Sequence, residues 1–126
     1  MAIKIKTIKI EQAEGRTDRL IRGEFATVDA ACAALRSISH QCQPDMLGYL
    51  KTDVLVVWED GTEHGLRADV NQHGDNTNLT AMLRDWAERY RKGVGPTGRN
   101  LKHLLNAEQR DACQRILSGE LVLDPE

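Results

Sequence analysis

The side chains able to do chemistry are few and scattered. His40 and Cys42 stand two residues apart, and a neighbouring imidazolium is one way to make a thiolate. His64 and His73, with Asp69 between them, form a second group. Neither group has a metal-ligand spacing such as paired Cys-x-x-Cys or His-x-x-x-His. No Gly-x-Ser-x-Gly elbow or cysteine-hydrolase signature occurs. Cys42 is the best thiolate candidate. An enzyme would need a pocket enclosing His40 with Cys42, or His64 with Asp69. The sequence therefore assigns no catalytic residue, no metal and no cofactor, and the chain reads as non-enzymatic.

Two further patterns suggest phosphate. Gly93-Val94-Gly95-Pro96-Thr97-Gly98 has the letters of a dinucleotide fingerprint. That motif needs a strand before it and a helix opening within it, so that free N–H groups aim at pyrophosphate. Here a helical pattern precedes it and Pro96 has no N–H, so the reading is a helix stop with a connector. From Arg84 to Arg115 the bases Arg84, Arg89, Arg91, Lys92, Arg99, Lys102, Arg110 and Arg115 outnumber the acids Asp85, Glu88, Glu108 and Asp111. Such a segment is either an ordinary solvated helical surface or a basic face for phosphate or an acidic protein.

The elements that must position these groups centre on residues 52–70. Asp60-Gly61 suits a two-residue type I′ turn. With that loop Val57 faces His64, Leu55 faces Leu66 and Asp53 faces Ala68, and this aliphatic side is expected to be the core. The opposite side would carry Val54, Val56, Trp58, Glu63, Gly65, Arg67 and Asp69. Trp58 is then either part of a contact surface or covered by another part of the chain.

Before the hairpin, Ile3, Ile5, Ile8 and Ile10 mark a strand over about residues 2–12, with a bulge near Thr7 to reconcile their parity. Lys4 and Lys6 read as guards of an exposed edge or as phosphate ligands. Residues 12–23 read as a loop or a loose second strand, and Phe25 as a core plug. Val28, Ala31, Cys32, Leu35 and Ile38 repeat as one helical face over 28–39, with Thr27 as N-cap. A second helix starts near Leu79, capped by Thr77 or Asn78. Its apolar stripe is Leu79, Met82, Leu83, Trp86, Ala87 and Tyr90, and Asp85–Arg89 and Glu88–Lys92 make acid-to-base pairs on its surface. Asn106 to Gln109 resembles a capping box opening a last helix over 107–117, which would bury Ala112, Cys113, Ile116 and Leu117 before Gly119. Residues 121–123 carry no usable pattern.

These elements predict one α+β domain over 1–126, a small antiparallel sheet of an N-terminal strand and a hairpin, packed by about three helices. The formal charge of −2 gives no basic field for nucleic acid, and aromatics at 4% offer few stacking platforms. Three widely spaced cysteines, Cys32, Cys42 and Cys113, are not a disulfide framework. The alternating start MAIKIKTIKI is not a signal peptide and no run is long enough to span a membrane, so the expected location is the cytoplasm.

The hairpin also resembles a known family. Gly48-Tyr49-Leu50-Lys51-Thr52, Trp58-Glu59-Asp60-Gly61 and Gly65-Leu66-Arg67-Ala68-Asp69 are similar to the large polyvalent protein-associated domain family numbered twenty-five. His64 stands where that pattern has an aromatic, and Leu50 is inserted in its first step. The Phe25-to-helix step and the helix ending at Gly93 are also similar. Such domains occur in phage, plasmid and conjugative-element proteins, and the resemblance supplies no catalytic residues. It implies a mobile-element protein acting on a host or element partner, as an inhibitor of CRISPR interference or restriction would. The alternative is a DNA-binding accessory protein of transfer or replication. The residues expected at the partner surface are Trp58, Glu63, Arg67, Asp69, Arg84 and Arg91.

Overall fold

The computed structural model describes residues 2–12, 22–40, 50–70, 77–93 and 105–123; for Gln12, Arg22, His40, Leu50, Lys51 and Asp69 it describes the backbone alone. In chain order the elements are β1 (Ile5–Gln12), β2 (Arg22–Phe25), α1 (Val28–His40), β3 (Leu50–Trp58), β4 (Glu63–Val70), α2 (Leu79–Lys92) and α3 (Ala107–Leu117). The four strands form one antiparallel sheet in the order β2-β1-β3-β4. The fold is α+β, as the sequence predicts.

The helices form where their signals stand. Thr27 Oγ1 accepts from Ala30 N, and α1 buries Val28, Ala31, Cys32, Leu35 and Ile38. Asn78 caps α2 by accepting from Ala81 N, and Gly93, at φ +74°, closes it with its N–H on the carbonyls of Arg89 and Tyr90. A left-handed residue at a helix end favours glycine because no Cβ meets the carbonyl. In α3 the capping box is complete, with Asn106 and Gln109 each bonding the other's backbone N–H. Two residues depart from the expected burial: Ile116 is only partly buried, and Leu117 is 38% exposed. Both lie past the stretch where Ala112 and Cys113 pack.

β1 has its bulge between Ile5 and Thr7, and all four isoleucines pack on the core. It is not an edge strand, however. It lies between β2 and β3, but β2 pairs only with Ile8–Glu11, so Lys4 and Lys6, both exposed, stand before the stretch that is paired on both sides. The patternless residues 121–123 complete the core beside its start. Ile3 N donates to Glu120 O and Val122 N to Ile3 O, a short parallel pairing that buries Leu121 and Leu123.

The hairpin differs from expectation in one respect that reverses its faces. Its loop has three residues, Glu59-Asp60-Gly61, not two. Gly61 N donates to Trp58 O at 3.0 Å and Trp58 N to Thr62 O at 2.9 Å. Gly61 sits at φ +88°, the left-handed bulge position of a three-residue hairpin. The register becomes Val56 opposite His64, Val54 opposite Leu66 and Thr52 opposite Ala68. One added loop residue turns every side chain of one strand to the other face. The core face is therefore Val54, Val56 and Trp58 with His64, Leu66, Ala68 and Val70, whereas Leu55 and Val57 lie half-exposed on the far side.

The main core lies between this face and helices α1 and α2, and a smaller cluster of Ala87, Tyr90, Leu105 and Cys113 joins α2 to α3. No described helix is long and apolar enough to cross a membrane.

Candidate functional site

The reversed register sorts the expected surface residues. Trp58 is fully buried, and its Nε1 donates to Val122 O at 3.1 Å. It is a core residue covered by the C-terminal segment and does not belong to a contact surface. Glu63 and Arg67 remain exposed on the outer face of the sheet, beside Asp53, Leu55 and Val57. Asp69 continues β4 opposite Lys51, and its side chain falls outside the described residues. Arg84 and Arg91 are exposed on α2, which packs on the opposite face, so the structure does not bring them to Glu63 and Arg67.

Of the described helices only α3 reaches the outer face, at its β4 rim. Rows of directly paired residues run across it: Glu24, Lys9, Leu55 and Gly65 in one, and Glu11, Asp53 and Arg67 in the next. Between them lies an open concavity of about 720 Å³, with Leu55 and Gly65 in its floor. Gly65 adds no side chain there; a Cβ would meet only Leu55 Cδ1, at 3.8 Å. Lys9 and Glu24 form a loose ion pair of 3.7 Å at one end. At the other end α3 reaches the rim, where Gln109 Nε2 donates to Gly65 O. That bond occupies a carbonyl on the open edge of β4, the kind of group that otherwise invites strand pairing. An apolar floor within a charged rim is the composition of a protein contact.

The hairpin tip is fixed to α3 by Arg115. Its guanidinium donates to Asp60 Oδ2 at 2.6 Å, to Thr62 Oγ1 and to Glu120 at 3.1 Å, with Asp111 at 3.4 Å. The bond from Arg115, with one from Thr62 N, lowers the Asp60 carboxyl to about 2, and the two carboxylates raise Arg115 further above its usual range. Sequence reasoning found Asp60 only as a turn residue and counted Arg115 only as surface charge. Part of the basic segment is paired: Arg89 with Asp85 at 2.8 Å and Arg91 with Glu88 at 2.9 Å, and Arg110 donates to Leu105 O. Glu88 thus serves Arg91 rather than Lys92.

Of the candidate chemical groups only His64, Cys32 and Cys113 are described in full, and they do not gather in one site. His64 is buried opposite Val56, not at the core edge opposite Val57, and neither ring nitrogen has a hydrogen-bond partner among the described residues. Burial lowers its pKa to about 4, so the ring is neutral at physiological pH. Burial also raises the Cys113 thiol to about 11, and Cys32 is buried with its Sγ accepting from Leu79 N. Neither is an accessible thiolate. Cys42, His73, the His40 side chain and residues 94–98 of the glycine-rich motif lie outside the described residues. Among the described residues no three His, Cys, Asp or Glu side chains gather as a metal site. No family model, no curated protein and no solved structure matches this chain.

Proposed function

We propose that this chain is a non-enzymatic binding protein of a mobile genetic element, which blocks a host defence complex of CRISPR or restriction type by surface contact in the cytoplasm. The observation that carries the binding reading is the outer sheet face. Helices cover one side of the sheet, while the other presents Leu55 and Val57 among Glu63, Arg67 and Asp53 around a concavity of about 720 Å³. The mobile-element reading rests on the hairpin's resemblance to the large polyvalent protein-associated family. A DNA-binding accessory protein is the weaker reading, since Arg89, Arg91 and Arg115 are tied to carboxylates.

Expression in bacteria with an active CRISPR or restriction system is expected to restore plaques of a targeted phage. A folded Leu55→Glu variant is expected to lose that effect. Failure to restore plaques against either system, together with no complex formed with their purified components, would remove the proposal.

A further inference from the structure

The outer face has a charge sign as well as a shape. A second concavity, of about 380 Å³, lies between the hairpin tip and the start of α3, lined by Glu63, Glu108 and Asp111. Glu63 and Gly65 alternate on one face of β4, and Glu108 precedes Gln109 in α3, so the two concavities adjoin. Together they are lined by six acidic side chains, Glu11, Glu24, Asp53, Glu63, Glu108 and Asp111, against two basic ones, Lys9 and Arg67. Asp53, Glu63 and Glu108 have no ion pair among the described residues. The opposite side has the reverse bias, with Arg84, Arg89, Arg91 and Lys92 against Asp85 and Glu88 on α2. A surface of this sign repels phosphate and steers cations toward itself.

Resting on the binding reading above, we infer that this face docks a lysine- or arginine-rich protein segment that seats one bulky apolar side chain over Leu55 and Gly65. The cations meet Glu63 and Glu108 at one side and Asp53 at the other. The apolar side chain fills the hollow that Gly65 leaves, the arrangement of a central anchor within a polar rim.

The test uses fluorescein-labelled peptides: one of alternating lysine and arginine with a central tryptophan, one with glutamate for every cation, and one with serine for the tryptophan. Anisotropy titration of the full chain is expected to show saturable binding of the first, about tenfold or more tighter than of either control, and weakening with salt. Glu63→Lys combined with Glu108→Lys, and separately Gly65→Val, are each expected to cost about tenfold or more in affinity. Lys92→Glu, on the far side, is expected to change nothing. Circular dichroism melts establish that each variant folds; Gly65→Val suits a strand, and its Cβ meets only Leu55. No saturable binding of the cationic peptide, equal binding of the glutamate peptide, or indifference to both variants overturns the inference. So does preferential binding of a DNA duplex at this face. Peptide binding without phage protection would remove only the defence reading. Phage protection that survives both groove variants would remove only this inference.

Discussion

At the scale of single residues, the core holds one side chain that resists acid poorly. His64 must stay neutral in the folded chain, with its pKa near 4, while the unfolded chain protonates it near 6.5. It therefore imposes no protonation penalty on folding above about pH 6.5, and a penalty that grows as pH falls toward 4, about 3 kcal/mol in all. Urea unfolding at pH 7 and pH 5 is expected to show most of it, roughly 2 kcal/mol. His64→Leu removes two buried nitrogens that have no partner among the described residues, so it is expected to raise stability at pH 7 by about 1–2 kcal/mol and to abolish this pH dependence. Trp58 tests the reversed register. Trp58→Phe deletes the bond to Val122 O and leaves space in the core, an expected loss of about 1–3 kcal/mol in urea with groove binding unchanged. A tryptophan in the contact surface would give the opposite pattern. Cys32 and Cys113 are expected to escape iodoacetamide in the native protein at pH 8 and to react in urea, as mass spectrometry of the digest would reveal.

At the scale of elements, the helices were legible and the hairpin only half so. Each helix has a side-chain cap and a full apolar stripe, signals that depend on neighbours within a few residues. The Asp-Gly tip was legible too, but it suits a two-residue loop and a three-residue loop alike. What selects between them is distant in sequence. Only the longer loop sets Val54, Val56 and Trp58 on the same side as Leu66, Ala68 and Val70, under α1 and α2. Matching the apolar parity of the two strands would have found it. The same error moved Trp58 into the expected surface while leaving Glu63 and Arg67 correctly outside. Residues 121–123 were illegible because their partner, Ile3, is at the other end of the chain. Arg115 joins these pieces, holding the tip to α3. Arg115→Ala is expected to lower the melting temperature at neutral pH. It is also expected to flatten the acid dependence that Asp60 contributes, which is present above about pH 4 and lost as pH falls toward 2. Thermal melts from pH 2 to pH 7 would measure both.

At the scale of the molecule, the composition gave a net charge close to zero and concealed a division of sign. Among the described residues, acids outnumber bases around the two concavities of the outer face, and bases outnumber acids on α2. A linear count over residues 84–115 suggested a basic surface, but folding pairs several of those bases with acids one helical turn away or across the hairpin tip. Which half-apolar face was open depended on the register, so the candidate site was only partly readable from the sequence.

The pairing of Ile3 with residues 120–122 has a mechanical consequence. These two segments run parallel, so tension applied to the opposite ends of the chain pulls them lengthwise past each other. The bonds between Ile3 and residues 120 and 122, and the indole's grip on Val122, then share the load and must give way together instead of unzipping in turn. Stretched from its ends, this small protein would behave as a clasp placed directly in the line of force.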